Sequence, residues 1–189
     1  MQKVILITIY DKLNAVSAIK TERLTIRKFN PKDMDCIKEA FAKVSFRENM
    51  LIKDDNKVNY SCFDYQKMLA HYENTQVNVW AVCDNKTDDC IGSVSIQSHD
   101  NISNSVEIGY WISDRYANKG YGTEAVKAVV KFCFEYACIH RVWAMCRKDN
   151  KASIKLLMKA GFKPEGLMQD AVFYNNSYID IAYLAILNY

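Results

Sequence analysis

Apolar residues recur along the chain with two periods, and each period predicts a different kind of element. Alternation over Thr21–Lys28 places Leu24 and Ile26 on one face, which is typical of a strand with one buried side. Similar runs predict further strands over Val77–Cys83, Cys90–Ser98, Ser105–Ser113, Arg141–Arg147, Phe162–Asp170 and Tyr178–Leu187. Apolar residues at helical spacing predict helices from Asn30 to about Val44 and over Ser61–Asn74, Thr123–Ala137 and Asn150–Ala160.

The linkers between the strands in the middle of the chain indicate how those strands pair. Asp84–Asp89 and His99–Asn104 are rich in Asp, Asn and Lys, as hairpin turns are. We therefore expect antiparallel pairing in this part of the sheet. Helices are predicted on both sides of a mixed, mostly antiparallel central sheet, so the fold class is α+β with a three-layer αβα architecture.

Length and composition agree with one folded domain. The chain has 189 residues, of which 50% are hydrophobic and 25% are charged, and it contains no repeat and no Pro/Gly-rich linker. We interpret residues 1–18 as an N-terminal extension and residues 19–189 as a single domain. The net charge of +3 is too small to indicate binding to nucleic acid or to a membrane surface.

The cysteines and the N-terminal segment indicate in which cellular compartment the protein is expected. Seven cysteines are scattered without a C-x-x-C pair, and the three histidines show no metal-ligand spacing with them. This pattern predicts reduced thiols, no metal site and a cytoplasmic protein. Val4–Tyr10 after Lys3 is similar to a short secretory signal, but Asp11 and Lys12 follow at once, so we expect a non-secretory extension that adds a strand or helix. No apolar run reaches the roughly 18 residues of a membrane span.

The strand that ends near Ser113 runs into a short glycine loop, which opens a long helix. Gly120 and Gly122 stand where this helix begins, and Asn118 is a residue that tolerates a positive φ. Successive backbone N–H groups at a helix N-terminus attract an anion, and the helix dipole adds to this attraction. Lys119 places a cation beside them. The pattern predicts a site for a phosphate or pyrophosphate.

Other interpretations of this loop compete with the phosphate site. Gly120–Ala125 fits the dinucleotide fingerprint G-x-G-x-x-A, but the preceding strands are predicted hairpins and not part of a βαβ unit. In addition, Cys146–Lys148 stands where a ribose-binding acid is expected. A P-loop is excluded because the loop has no Gly-Lys-Ser/Thr. A structural turn without a ligand remains an alternative.

Blocks in a fixed order resemble the GNAT family of acyl-CoA-dependent N-acyltransferases. The loop Ala117–Gly122 is similar to the family's Gln/Arg-x-x-Gly-x-Gly/Ala, although Ala117 departs from it at the first position. Asp149–Phe162 resembles the family's Asn-x-x-Ser/Ala helix that ends in Gly-Phe. Three more blocks are similar to the ribosomal-protein N-terminal acetyltransferase (Rim-type) branch: Glu107–Trp111, Phe173–Asp180 and Thr21–Leu24. The resemblance covers nearly the whole predicted domain.

The resemblance implies a GNAT fold and an N-acetyltransferase with acetyl-CoA as its cosubstrate and no metal. In the family, a backbone N–H of the strand before the loop polarises the thioester carbonyl where the sheet splays apart, which indicates Tyr110–Ile112 here. The acetyl-CoA contacts that we expect are Trp111, Ile112, Asn118, Lys119, Gly120, Tyr121, Gly122, Thr123, Asn150 and Ser153.

Two residues are candidates for proton handling when the amine attacks the thioester directly. Glu107 shares a strand face with Trp111, and a glutamate at the matching position is the base in part of the resembling branch. An ordinary strand carboxylate is the alternative. The family's usual general acid is a tyrosine, but Leu157 stands in its place, which leaves Ser153 as the candidate hydroxyl. A serine that bonds only its own helix is the alternative.

Two further residues near these motifs are assigned to structure. We assign Glu124 to the helix dipole, because it falls in the first turn of the helix. Cys146 ends a strand near the expected thioester, and we interpret it as a buried free thiol and not as an acyl carrier.

The acceptor is the least determined part of the prediction. The Rim-type resemblance suggests a protein N-terminal α-amine, for example that of a ribosomal protein. A small amine such as a polyamine or an antibiotic is the alternative, as is a non-catalytic acyl-CoA-binding module. We expect the acceptor pocket from Phe46–Tyr72 and from the last hairpin near Phe173–Tyr178. An exposed final strand would also allow two copies of the chain to pair as a homodimer.

Overall fold

The computed structural model describes residues 7–50 and 64–189, and in these ranges it forms one eight-stranded sheet with six α-helices. The strand order across the sheet is β1-β2-β3-β4-β5-β6-β8-β7. The strands are β1 (Ala18–Lys20), β2 (Leu24–Arg27), β3 (Asn78–Asp84), β4 (Cys90–Asp100), β5 (Ser105–Ile112), β6 (Arg141–Arg147), β7 (Lys163–Tyr174) and β8 (Ser177–Leu187). The helices are α1 (Ile9–Asn14), α2 (Met34–Ala42), α3 (Val44–Asn49), α4 (Tyr65–Thr75), α5 (Tyr121–Glu135) and α6 (Lys151–Lys159).

The sheet is mixed and mostly antiparallel, as predicted. Hairpins join β3 to β4 and β4 to β5, and each pair is antiparallel. Strands β5 and β6 pair in parallel, and α5 connects them. A parallel pair needs such a crossover, because a short turn can only reverse the chain.

Helices cover both faces of the sheet, which confirms the three-layer prediction. Along β3 the side chains alternate between two apolar clusters: Trp80 and Val82 belong to the larger one, whereas Ala81 and Cys83 belong to the smaller one. The larger cluster includes residues of α1, α5 and α6, and the smaller one includes residues of α2 and α4. We call these sides the α5/α6 face and the α2/α4 face.

Residues 9–14 form a helix that contributes to the larger cluster. Thr8 and Asp11 cap α1 reciprocally, and Ile9 and Leu13 are buried in the cluster. Strand β1 then pairs with β2 from Ala18 onwards. The domain boundary after residue 18 stays a prediction. No helix in residues 7–50 and 64–189 is long and apolar enough to cross a membrane.

Predicted and observed bounds differ at many element ends, and three cases are the helix after Asn30, α4 and β7. The helix expected from Asn30 to Val44 is a short 3-10 turn followed by α2, and the extended backbone of Lys43 separates α2 from α3. Helix α4 begins at Tyr65, so the predicted residues 61–63 lie outside the described residues. Strand β7 continues past Asp170 to Tyr174, because a bulge at Asp170, with φ of 49°, shifts the register without ending the pairing with β8.

Candidate functional site

A cleft opens in the sheet where β5 and β6 part. The two strands pair at Ser105–Arg141, Val106–Val142 and Glu107–Trp143. Beyond Glu107, β5 continues to Ile112 beside β4, and β6 continues to Arg147 beside β8, without further pairing to each other. The walls of this cleft are therefore two strand edges with free backbone groups.

The backbone direction of β5 determines which amides face the cleft. Ser113 donates its N–H to the carbonyl of Ile91 on the β4 side at 2.8 Å. Because N–H groups alternate in direction along a regular strand, Trp111 points the same way, whereas Tyr110 and Ile112 direct their N–H groups into the cleft. Two of the three residues in the predicted region can thus donate to a carbonyl held in the cleft.

The glycine loop has the geometry of an anion site. Asn118 has φ of 60° and Gly120 has φ of 82°, so the predicted tolerance of Asn118 for positive φ is confirmed. Helix α5 begins directly after Gly120, and the first N–H that bonds back into the helix is that of Glu124, to the Gly120 carbonyl at 3.0 Å. The preceding N–H groups in the turn have no acceptor within the helix. They face outward at the positive end of a 15-residue helix.

The two glycines of the loop serve different purposes. At Gly120 the positive φ disfavours any other residue, and an added Cβ would lie 3.4 Å from Arg23 Nη2. Gly122 is buried, and an added Cβ would meet Leu156 Cδ1 of α6 at 2.6 Å. The second glycine therefore allows α5 and α6 to pack closely, in addition to presenting its N–H in the first turn.

An ion pair that sequence reasoning missed fastens the β1–β2 turn to the loop. Glu124 accepts hydrogen bonds from Thr21 Oγ1 at 2.6 Å and from Arg23 Nε at 2.6 Å. Burial alone would raise the pKa of Glu124, but these hydrogen bonds outweigh it and the pKa is lowered. Arg23 also donates to the carbonyl of Lys119 at 3.0 Å and lies over the Tyr121 ring. The charge of Glu124 thus holds a second cation at the loop.

Lys119, the cation predicted at the anion site, is turned to the outside of the loop. Its ammonium donates to the Arg115 carbonyl at 3.0 Å and lies 5.5 Å from the Tyr116 ring centroid. Arg23 takes the position beside Gly120 instead. Arg23 belongs to the block Thr21–Leu24, which carries part of the family resemblance. The sequence gives no indication that its partner is Glu124, about a hundred residues away.

A groove of about 870 Å³ continues from the loop along α5. Gly120 and Thr123 lie at its loop end. Its other lining residues include lysines, glutamates and apolar side chains, among them Lys127, Lys131, Glu22, Glu135 and Phe132. The lysines and the apolar residues suit a ligand that carries phosphates and a flat ring, whereas the glutamates do not contribute to phosphate binding.

The start of α6 closes the cleft on the α5/α6 face. Asn150 caps this helix with its side-chain oxygen, which accepts from the Ser153 N–H at 3.0 Å, and its Nδ2 donates to Asn49 at 3.1 Å. The Ser153 hydroxyl lies 2.8 Å from the hydroxyl of Tyr110, on β5, and it partly offsets the burial that raises the pKa of the Cys146 thiol on β6. Ser153 therefore reaches both walls of the cleft. Tyr110 was not predicted as a functional side chain.

Glu107 lies on the opposite face of the sheet. It is half-buried at the last paired position of β5, and Ser98 donates to its Oε2 at 3.1 Å. Burial raises the pKa of Glu107, and the Ser98 bond only partly offsets this. Trp111 shares the α2/α4 face, where Phe46 meets its ring edge-on at a centroid distance of 5.4 Å. The structure thus separates the predicted base from Ser153 by the thickness of the sheet.

The predicted acceptor regions are described in part. Residues 51–63 lie outside the described residues, and Phe46 remains as the described aromatic of that region beside Trp111. In the last hairpin, Phe173 and Tyr178 are paired across the strands and are 52% and 64% exposed. They extend past Arg147, the end of the β6 wall, since Arg147 pairs with Ile181.

The chain matches one family model over most of its length. Residues 23–163 match the model described as Acetyltransferase (GNAT) domain. The crystal structure of an acetyltransferase (GNAT family) from Bacillus anthracis superposes with a TM-score of 0.76 at 26% identity, and the match covers 90% of this chain and 98% of that one.

Three curated relatives of this chain are all named as acetyltransferases, but their names give different acceptors or none. The uncharacterized N-acetyltransferase p20 of Bacillus licheniformis is 27% identical over 172 residues, which is 91% of this chain and 97% of p20. Ribosomal-protein-serine acetyltransferase of Escherichia coli is 29% identical over 96 residues, or 51% of this chain and 54% of the relative. Spermidine N(1)-acetyltransferase of the same organism is 26% identical over 87 residues, covering 46% and 47%.

Proposed function

Because the chain belongs to the GNAT acetyltransferase family and transfers an acetyl group from acetyl-CoA to an amine, we propose that its acceptor is the α-amine of a protein N-terminus. The observation that carries this proposal is the exposed aromatic pair, Phe173 and Tyr178, at the end of the cleft. An extended peptide can lay apolar side chains on such a surface, whereas a polyamine offers little to cover it. A ribosomal protein is the acceptor that the Rim-type resemblance favours.

The charges of the last hairpin support the same choice. Glu165 accepts two hydrogen bonds from Arg141, and Asp180 pairs with Lys148 at 3.0 Å. Two of the three carboxylates of this hairpin are therefore compensated by cations of the chain, whereas Asp170 has no ion pair among the described residues. A polyamine carries several positive charges and is bound best by uncompensated carboxylates. Acetylation of a small amine remains the second candidate function, since one relative is named for spermidine.

The loop and the groove fit the diphosphate and nucleotide parts of acetyl-CoA, which supplies the acetyl group as a reactive thioester. We assign the pyrophosphate to the N–H groups of Asn118–Thr123, including that of Lys119, with the Arg23 side chain beside Gly120. The amides of Tyr110 and Ile112 hold the thioester carbonyl. Asn150 contacts the pantetheine arm through its Nδ2, which pairs with Asn49 in the free protein. Trp111 was expected to contact acetyl-CoA, but its ring lies on the α2/α4 face and its N–H points to β4, so we assign it to the acceptor side instead.

Opposite faces of the sheet serve the two reactants in this proposal. Glu107, on the α2/α4 face, takes a proton from the incoming amine, and its raised pKa keeps it a useful base near neutral pH. Ser153, on the α5/α6 face, donates a hydrogen bond to the sulfur as it leaves. The amine attacks directly through the cleft, with no acyl-enzyme.

A turnover assay with paired acceptors tests the proposal. The release of free thiol from acetyl-CoA is measured with peptides that begin with Ser, Ala or Met. Each peptide is also tested with a blocked N-terminus, and spermidine and spermine are tested in the same way. We expect thiol release with the free peptides and none with their blocked partners, and mass spectrometry places the acetyl group on the α-amine. Turnover with the polyamines alone would overturn the acceptor. Acetyl-CoA binding without turnover on any amine would favour a non-catalytic module.

We also propose a cytoplasmic location, because all six cysteines in the described ranges are free thiols. Cys62 lies outside those ranges.

A homodimer formed through β7, the edge strand of the sheet, completes the proposal.

A further inference from the structure

The position of the family's usual tyrosine acid offers no hydroxyl in this chain. Leu157 stands there, and it is fully buried in the larger apolar cluster. Another polar group must therefore assist the leaving sulfur on the α5/α6 face if the proposed function holds. The polar side chains that face one another there are Tyr110 and Ser153, with the thiol of Cys146 beside them.

Tyr110 and Ser153 form a short hydrogen bond between different elements. The two hydroxyl oxygens are 2.8 Å apart, and the Tyr110 hydroxyl also lies 3.2 Å from the Ser153 carbonyl. The Ser153 N–H is bound to Asn150 at 3.0 Å, so the backbone of the serine is fixed as well. Either hydroxyl of this pair can be the donor. When Tyr110 donates to the Ser153 oxygen, the hydrogen of Ser153 is left for another acceptor.

The surroundings keep the Tyr110 hydroxyl protonated. Burial raises the pKa of Tyr110, which the Ser153 bond only partly offsets, so the phenol keeps its hydrogen at neutral pH and can donate it. Burial also raises the pKa of the Cys146 thiol on β6, and Ser153 partly offsets this.

We propose that Tyr110 is a positioning residue, which aims the Ser153 hydroxyl at the leaving sulfur of CoA and so replaces the missing tyrosine acid. The inference rests on the proposed function. When the carbon–sulfur bond breaks, its electron pair goes to sulfur, and Ser153 donates a hydrogen bond to the resulting thiolate. No proton leaves Tyr110. The proton of the amine goes to Glu107, and the released thiolate takes a proton from water, since a thiol has a pKa of about 8.5.

A titration of bound CoA tests this without turnover. The thiolate is followed by its ultraviolet absorbance in the CoA complex, with the free protein subtracted. A hydrogen bond to the thiolate lowers the pKa of the bound thiol by about one pH unit, which is roughly a tenfold effect. We expect this lowering in the wild type and its loss in both Tyr110→Phe and Ser153→Ala. Tyr10→Phe is the control, because its ring stacks on His99 and its hydroxyl makes no contact with Tyr110 or Ser153 among the described residues.

Kinetics with whichever amine the wild type acetylates provide the second readout. Tyr110→Phe should lower kcat about tenfold with KM values unchanged within about twofold. The double variant should be no slower than Ser153→Ala, because the two hydroxyls act in series. An unshifted thiol pKa in Tyr110→Phe, or losses that multiply in the double variant, would overturn the inference. If no amine is acetylated while the thiol pKa moves as expected, the proposed function fails and the inference stands.

Discussion

At the scale of single residues, Glu107 offers a direct test of the proposed base. Its pKa is raised by burial, so kcat/KM should rise with pH through this raised value and then level off. Glu107→Gln should lower kcat/KM by about 10²–10⁴-fold at neutral pH and remove that pH dependence. Acetyl-CoA affinity should stay within about twofold, because Glu107 lies on the α2/α4 face, away from the loop.

The stability of the same variant separates a base from a structural carboxylate. A carboxyl whose pKa is raised by folding stabilises the protein only at pH values below its unfolded pKa, and this contribution is lost as the pH rises through the folded pKa. At pH 7 the ionised Glu107 therefore does not favour folding, and Gln can keep the bond to Ser98. We expect an unchanged or higher Tm for Glu107→Gln in calorimetry. A folded variant with more than about a third of wild-type kcat/KM would remove Glu107 from the mechanism.

Cys146 provides the residue-scale test of direct attack. Burial raises the pKa of its thiol, and the Ser153 bond only partly offsets this, so the thiol is protonated at neutral pH and a weak nucleophile. Cys146→Ala should retain at least about a third of kcat/KM, since its thiol makes no bond to the acetyl group. A loss of about 10³-fold or more, together with an acetylated peptide containing Cys146 in quenched wild-type enzyme, would indicate a covalent route.

At the scale of elements, the turn between β5 and α5 carries the binding of acetyl-CoA. Gly120→Val puts a β-branched side chain at φ of 82° and beside Arg23. We expect acetyl-CoA to bind at least about tenfold more weakly in calorimetry, or roughly 1.4 kcal/mol. The matched control is Gly166→Val in β7, where an added Cβ meets nothing within 4 Å. Equal affinity of a folded Gly120→Val and the control would contradict the assignment of the loop.

Elements with a clear local period could be predicted from the sequence, and long-range contacts could not. The strands of the β3–β4–β5 meander and the start of α5 follow from alternation and glycine, which are local signals. The predicted helix ends near Val44, close to the observed break at Lys43, but the short helix α3 that follows was not predicted.

The site shows the same division between local and long-range signals. Glu107, Ser153 and the loop could be named from motifs, because a motif fixes each residue within its own element. The bond between Tyr110 and Ser153 joins residues 43 positions apart, and that between Arg23 and Glu124 joins residues 101 positions apart. No pattern along one sequence indicates such pairs, since they depend on how the elements pack.

At the scale of the whole molecule, β7 leaves one edge of the sheet unpaired. This strand spans Lys163–Tyr174, and Leu167 and Met168 on it are 43% and 51% exposed. Lys163, Pro164 and the bulge at Asp170 protect parts of this edge, so we expect pairing with a second copy at the exposed apolar residues Leu167 and Met168. We expect a dimer in analytical ultracentrifugation and a monomer for the double substitution of Leu167 and Met168 by lysine. Met158→Lys, an exposed position on α6, is the control. A wild-type monomer at all concentrations would contradict this expectation.

Because β5 parts from β6 after Glu107, the two walls of the cleft can diverge in sequence without losing hydrogen bonds to each other. Each wall pairs with another strand on the side away from the cleft, β5 with β4 and β6 with β8. Exchanging a side chain such as Trp111 or Met145 therefore breaks no hydrogen bond between the walls. A library randomised at these two positions should keep its fold more often than one randomised at Trp80, which lies in the larger apolar cluster. New amine preferences can therefore be selected from one scaffold, in the laboratory or over evolutionary time.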